Sequence, residues 1–354
     1  MRYYFIDVHI KSFLNECKTD ATTKPRTDAI KIAKKVGFKP IVLYYWETSI
    51  AYIQKKHPLF PNRLLNIQLW LLCKYVRNSV ILLQTPFFRH NLYDVLGLLK
   101  RRNKLIILIH DVDILRYSDG GEFDFKMLMM ADVLVVHSPE MKGALYEMGV
   151  KAPCVALEFF DYLNDCERIP NVSKNNPRVV FAGNLQKSTF LSKLVDIPLP
   201  EMFHLNLYGR PVDYHFPENV HYKSFFDNEH ISEMEGDWGL VWDGDSIDTC
   251  SGVLGTYLRY NASFKFSLYL ACGIPVIVWT ESALAQYVEK YHLGICVKAL
   301  HEIPKAIASL SPDEVSVIQE GLALYSSKVK TGGMLHDAIQ KGLGLLKTLP
   351  VGGK

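Results

Sequence analysis

The sequence predicts two tandem α/β domains, each a parallel sheet wound with helices on both faces. Strand-like runs alternate with amphipathic helical runs from the start of the chain to Leu157. A mostly polar segment, Asn164–Asn176, closed by Pro177, interrupts the alternation, and a second series begins at Arg178. The 354 residues are long enough for two sizeable cores. These observations set the expected organisation: residues 1–163 as one Rossmann-like domain, 164–176 as a linker, 177–334 as a second, and 335–354 as a terminal helix and tail.

In the first half, strands are expected at residues 2–9, Pro40–Tyr45, Val80–Gln84, Leu105–Ile109, Val133–His137 and Cys154–Leu157. Helices are expected at Thr27–Gly37, Pro61–Val76, Leu92–Lys100, Asp124–Met130 and Met141–Met148. Ala29, Ile32, Ala33 and Val36 give the first helix one apolar face, and Gly37 is its stop. In the second half, strands are expected at Arg178–Ala182, His204–Tyr208, around Val220, at Trp238–Trp242, Val276–Trp279 and Ile295–Lys298. Helices are expected at Glu229–Met234, in the stretch ending at Cys272, and at Ser282–Tyr291, Ile303–Leu310, Pro312–Leu324 and Leu335–Leu346. A loop rich in Asp, Ser and Gly fills the gap after Trp242. In such folds ligands bind beyond the carboxyl ends of the strands, so the residues just after each strand are the ones to inspect.

Composition narrows the class. Hydrophobic content of 49% and charged content of 22% are those of a globular protein. The start of the chain lacks the pattern of a signal peptide. The most apolar stretch, Leu64–Leu83, is interrupted by Lys74 and Arg77, which argues against a spanning helix. Seven scattered cysteines without a C-x-x-C pair read as reduced thiols, and the expected location is cytoplasmic. Net charge is +3, but residues 1–160 hold 23 Lys and Arg against 15 Asp and Glu, and the remainder holds 17 against 22. The Lys100–Lys104 cluster and Lys55-Lys56 lie in the basic half. Such asymmetry is commonly no more than an unevenly charged solvated surface; it also suits attraction to an anionic membrane surface or a phosphorylated acceptor. Nucleic acid is not an expected partner, because no basic stripe with interleaved aromatics is present. A dinucleotide oxidoreductase is disfavoured, because no G-x-G-x-x-G follows the first strand.

The most informative stretch is Tyr260–Trp279. Asn261 is placed as an N-cap, Gly273 as a helix stop and Val276–Trp279 as a strand covered on both faces. Lys265 falls in the first turn, where a cation opposes the helix dipole. That placement makes sense if an anion such as a phosphate docks there; an ordinary exposed lysine is the alternative.

Several segments together carry a resemblance: Asp28–Phe38 (DAIKIAKKVGF), Leu83–Pro86 (LQTP), Ile107–Val112 (ILIHDV), Ala131–Ser138 (ADVLVVHS), Phe181–Leu185 (FAGNL), Trp238–Asp243 (WGLVWD) and Tyr260–Trp279. In this order they span nearly the whole chain. It resembles a GT-B glycosyltransferase, two Rossmann-like domains facing a central cleft, and within that class the bacterial β-1,6-galactofuranosyltransferases and streptococcal adhesin glucosyltransferases. The resemblance implies a UDP-sugar donor held by the second domain and a glycan acceptor held by the first, lipid-pyrophosphate-linked in one reading. Gly183 and Asn184 would meet the donor diphosphate through backbone N–H groups, with Lys187 adding charge. Asp243 would end a strand beside the donor, and Tyr257 and Tyr260 would flank uracil and ribose. Lys265, with the N–H groups from Ser263 to Lys265, would hold the phosphates and stabilise the leaving UDP. Ser282 and Gln286 would touch diphosphate or sugar.

Many retaining GT-B enzymes carry two glutamates where this chain has Tyr260 and Leu268, so the resemblance points to an inverting reaction. Glu281 and Glu289 share the spacing but lie after the strand. Inversion needs a general base on the acceptor side. His110 and Asp111 are the leading candidates, with Asp113 and Asp7 also open. Asp111-x-Asp113 and Asp243-x-Asp245 match a metal-pair spacing that is common in loops, and no metal or other cofactor is expected. The rival reading is a non-catalytic GT-B protein that binds a glycan or a sister transferase. Homo-oligomerisation is left open.

Overall fold

The computed structural model describes residues 1–12, 23–47, 60–86, 93–117, 121–196, 203–224 and 230–348. The Lys55-Lys56 pair, the first residues of the expected Leu92–Lys100 and Glu229–Met234 helices and the terminal tail lie outside these residues. The chain forms two compact units. The first comprises Met1–Val136, Leu145–Ala156 and His336–Lys354; the second comprises His137–Ala144 and Leu157–Leu335.

In the first unit the strands are β1 (Arg2–Ser12), β2 (Lys39–Glu47), β3 (Ser79–Thr85), β4 (Lys104–Ile109), β5 (Val133–Val136) and β6 (Cys154–Ala156). They form one sheet in the order β2-β1-β3-β4-β5-β6, and every pairing is parallel. The helices are α1 (Lys24–Lys35), α2 (Phe60–Tyr75), α3 (Tyr93–Lys100), α4 (Asp113–Arg116), α5 (Glu122–Leu128) and α6 (Pro139–Glu147), whose first residues belong to the second unit. Each parallel pair needs a crossover, and the helices supply them. β3 is buried along its whole length and β4 from its second residue on, as continuous apolar runs should be when helices cover both faces. Gly37 takes a left-handed φ of 100° just beyond α1, the expected stop.

In the second unit the strands are β7 (Arg178–Ala182), β8 (His204–Tyr208), β9 (Val220–Ser224), β10 (Trp238–Val241), β11 (Val276–Trp279) and β12 (Gly294–Val297). Their order is β12-β11-β10-β7-β8-β9, again with parallel pairings throughout. The helices are α7 (Gly252–Tyr257), α8 (Phe264–Ala271), α9 (Ala285–Tyr291), α10 (Ile303–Ala308), α11 (Pro312–Thr331) and α12 (Gly333–Thr348), which continues into the first unit. Short 3-10 turns occupy Thr189–Asp196, Ile231–Glu233 and Leu300–Glu302.

Some boundaries differ from the sequence expectation. α7 forms inside the stretch read as a loop. α11 runs on past Leu324, because Ile318, Leu322, Ser326 and Val329 keep one face buried until Gly332 turns left-handed. Ser311 and Glu314 close a reciprocal capping box at its start. α8 begins two residues later than an Asn261 cap would set it, with Ser263 as N-cap. The reason is local: the Ala262 N–H donates to His137 Nδ1 at 3.0 Å, which holds that backbone outside the helix. Residues 164–176 belong to the second unit. Arg168 donates to the Met234 carbonyl at 2.9 Å, and the Trp238 indole donates to the Ser173 carbonyl at 2.7 Å.

Candidate functional site

The site in the second unit is built around α8. Tyr269 projects from this helix into the sheet and is completely buried. Its hydroxyl accepts from the Ala182 N–H at 2.9 Å and donates to the Leu240 carbonyl at 3.2 Å, joining β7 to β10. Burial pushes its phenol far above the ordinary tyrosine range, so it stays neutral. The ring fits because residue 239 is glycine: a Cβ there would sit 2.2 Å from Tyr269 Cγ. Lys265, one turn earlier on the same helix face, is thereby set over the carboxyl ends of β7 and β10.

The Lys265 ammonium contacts Asp243 Oδ2 at 2.7 Å and the Trp242 carbonyl at 3.4 Å, and it lies 5.0 Å from the centroid of the Phe181 ring. Both charged side chains are largely shielded, at 15% and 20% exposure. Gly183 lies under the lysine stem, where a Cβ would come within 2.9 Å of Lys265 Cε. Its own N–H donates to the Tyr208 carbonyl at 2.9 Å. Gly183 therefore contributes room, and its N–H is engaged by the Tyr208 carbonyl. Asn184 makes a tight turn, its side-chain and main-chain oxygens both accepting from the Lys187 N–H at 3.2 Å. The Lys187 side chain is exposed at the edge of this turn. Ser188, buried, donates to the Asn184 carbonyl at 3.1 Å and lies 3.5 Å from Asp243 Oδ1. The Cys250 thiol near Asp243 is pushed up by burial and remains a neutral thiol.

Gly183, Asn184, Asp243 and Lys265 thus form one cluster, with Ser263 as the cap of the same helix. The remaining candidates lie further along the chain. Tyr257 is buried in α7, whereas Tyr260 is half-buried and its carbonyl accepts from Ser138 Oγ at 2.9 Å. Ser282 is buried, and its hydroxyl accepts from the Leu284 N–H at 3.1 Å, a local turn. Gln286 donates to both Glu140 oxygens at 3.1 and 3.0 Å. Glu281 pairs with Arg259.

In the first unit, His110 and Asp111 follow β4 directly. His110 Nε2 meets Gln84 Oε1 of β3 at 2.5 Å, and Asp111 meets Arg116 of α4 at 3.6 Å. Asp113 opens α4, and Asp7 lies on β1. Of the two Asp-x-Asp pairs, Asp111 meets Arg116, Asp243 meets Lys265 and Asp245 accepts from Ser251. Among the described residues no three His, Cys, Asp or Glu side chains converge as metal ligands.

Sequence reasoning assigned no site role to Ser188, nor to Phe181, His137 and Ser138, which lie within the segments that carry the resemblance. The last two carried a usable signal, since they follow β5 just as Gly183 and Asn184 follow β7. Ser188 carried none, because it reaches Asp243 only through the fold.

Comparisons with known proteins agree with this architecture. Residues 7–159 match the N-terminal domain model of glucosyltransferase 3-like proteins, and residues 179–342 match the C-terminal domain model. The β-1,6-galactofuranosyltransferase WbbI of Escherichia coli is 31% identical over 95% of this chain and 98% of its own. Glucosyltransferase 3 of Streptococcus gordonii is 24% identical over 90% of this chain and 94% of its own. Among solved structures, sucrose-phosphate synthase from Thermosynechococcus elongatus superposes with a TM-score of 0.56 at 13% identity, covering 97% of this chain and 98% of that one. A UDP-forming trehalose-phosphate synthase from Burkholderia vietnamiensis gives 0.57 at 10% identity, covering 98% and 100%. At these identities the structural likeness shows the fold, which is GT-B.

Proposed function

Because the chain belongs to the glucosyltransferase 3-like family and is a GT-B glycosyltransferase, we propose that it moves a hexosyl group from a UDP-sugar to a glycan acceptor, inverting the anomeric centre without a metal ion. UDP-galactofuranose is the favoured donor, in line with the name of the relative that is 31% identical, and UDP-glucose is next. The acceptor belongs to a surface polysaccharide or glycoprotein glycan and is lipid-pyrophosphate-linked in the form that suits the basic first half of the chain. The enzyme then works at the inner face of the cell membrane.

One observation carries this reading: a shielded lysine ammonium held at the first turn of a helix, above a glycine and beside a strand-end carboxylate. An ammonium has three donors, and Asp243 and Trp242 take two. The third is available to a diphosphate oxygen, together with the Phe264 and Lys265 N–H groups at the start of α8; the Phe266 N–H donates to the Ser263 carbonyl at 3.0 Å. In transfer, the acceptor hydroxyl oxygen bonds to the anomeric carbon as the carbon–oxygen bond to UDP breaks. UDP leaves with the electron pair, and the hydroxyl proton passes to a base on the acceptor side. Lys265 stabilises the charge that grows on UDP, the work a divalent cation does in other transferases. Asp243 acts through Lys265 as a positioning residue, and His110, with Asp111 beside it, is the favoured base. Tyr260 flanks the nucleoside.

The test is product analysis with UDP-galactofuranose and UDP-glucose in parallel, in the presence of a chelator, with anomeric configuration read by NMR. A β-linked product from an α-configured donor at an undiminished rate in chelator is expected. A retained configuration, a strict metal requirement, or UDP release from neither donor would overturn the corresponding part of the reading.

A further inference from the structure

The outer face of α2 does not look like the outer face of a soluble helix. Leu69, Leu72 and Val76 point inward and are buried. The opposite face should be polar. It carries instead Ile67, Trp70, Leu71 and Tyr75, exposed by 55%, 60%, 39% and 68%. At intervals of three and four residues they make one continuous stripe. The single charge among them is Lys74, whose ammonium lies 4.8 Å from the Trp70 ring centroid and 5.4 Å from that of Tyr75.

The platform beneath is fixed. The Gln68 amide donates to the Tyr44 carbonyl at 3.0 Å and accepts from its N–H at 2.9 Å, tying α2 to β2. At the other end, Asn103 donates to the Val76 carbonyl and the Leu99 carbonyl, both at 3.0 Å, joining the C-terminal ends of α2 and α3. The Asn78 N–H donates to the Arg102 carbonyl at 2.9 Å. These bonds bring exposed Arg77, Arg101 and Arg102 to the same end of the apolar stripe as Lys74. Charge is one-sided over a long span: from Thr48 to Tyr93 the sequence holds no Asp or Glu and six Lys or Arg.

We propose that this face of α2 docks the first unit onto an anionic phospholipid bilayer, lying in the headgroup region. Tryptophan and tyrosine suit that depth, because their apolar bodies enter the acyl boundary while their polar ends stay hydrated. Lysine and arginine stems cover apolar surface while their heads meet lipid phosphates. An amphipathic helix of this composition lies on a membrane. Among the described residues no helix is long and apolar enough to cross one. A surface that only paired two copies of the chain would gain nothing from an acid-free basic rim, which repels its own image.

The proposal gives the membrane-peripheral reading above a specific surface, and it is measured without donor or acceptor. Flotation is run with vesicles of phosphatidylcholine mixed with phosphatidylglycerol, and with phosphatidylcholine alone. Binding to the anionic vesicles only, weakening as salt rises, is expected. The double variants Trp70→Ser/Tyr75→Ser and Lys74→Glu/Arg77→Glu, with melting temperatures like that of the parent, each lower binding by at least about tenfold. Trp70→Phe keeps binding but loses a vesicle-induced blue shift of tryptophan fluorescence. Equal binding to neutral vesicles, no binding, or variants that bind like the parent would overturn the proposal. So would a dimer in solution that Trp70→Ser dissociates, which would make a second copy the occupant of this face. If vesicle binding fails while UDP still binds, the transferase reading stands and only this proposal falls.

Discussion

The carboxyl ends of the two sheets are organised differently. In the second unit, the groups beyond β7 and β10 hold one another. Lys265 meets Asp243, Asp243 lies near Ser188, and Ser188 bonds the Asn184 turn, over a helix locked by a buried tyrosine. In the first unit, His110 meets Gln84 and Asp111 meets Arg116, each partner lying on an adjacent element. A preorganised cation suits a ligand part that is always the same, such as a diphosphate. An imidazole beside a carboxylate suits a different task, the uptake of a proton from an acceptor hydroxyl.

The comparison can be broken at its strong end first. Lys265→Ala should lower transfer by about 100- to 1000-fold, as losing one preorganised oxyanion partner does, with little change in melting temperature. A loss below fivefold in steady-state kinetics would contradict the assignment. Gly239→Ala tests the scaffold under the lysine. Its Cβ cannot coexist with the Tyr269 ring, and a destabilisation of about 3 kcal/mol or more is expected in denaturant unfolding. His110→Asn probes the first unit's end: turnover should fall by about 100-fold while UDP affinity stays unchanged. An equal loss in UDP affinity would show that the two ends are not separable in this way. Tyr269→Phe removes one hydroxyl that serves two buried backbone groups, and about 1–3 kcal/mol should be lost in the same unfolding assay.

The smallest effect lies far from either site. Burial raises the Asp237 carboxyl, but the hydrogen bonds and charge of Arg178 outweigh burial and hold it below the ordinary range. A depressed carboxyl adds stability above its unfolded pKa and loses it as pH falls through the folded value. Arg178→Met should therefore flatten stability between neutral pH and the acid side of the carboxylate range. Because Arg178 is half exposed, the effect stays within about 1 kcal/mol. Melting curves across that pH window provide the check.

The fold was legible because parallel strands buried on both faces read as apolar runs, and stops such as Gly37 and Gly273 fall where the chain turns left-handed. α7 was not legible. It contains Gly252 and Gly255, weak helix formers, and a Cβ at Gly255 would strike the Cys250 carbon at 2.6 Å, so glycine is needed there for packing. At the site, Lys265 and Asp243 each stood out by their positions at element ends. Their pairing did not, because 22 residues separate them and only the β10–α8 packing joins them. The Gly183 N–H illustrates the same limit, since its partner on Tyr208 depends on sheet order. The exposed face of α2 escaped for the opposite reason: an apolar helix reads as core, and only the structure shows which half of it is covered.

The central claim is that Lys265 grips the donor diphosphate. Calorimetric titration of UDP into the parent protein and the Lys265→Met variant tests it most directly. Affinity weaker by at least about tenfold, corresponding to about 1.4 kcal/mol, is predicted for the variant. Equal affinity would contradict the account.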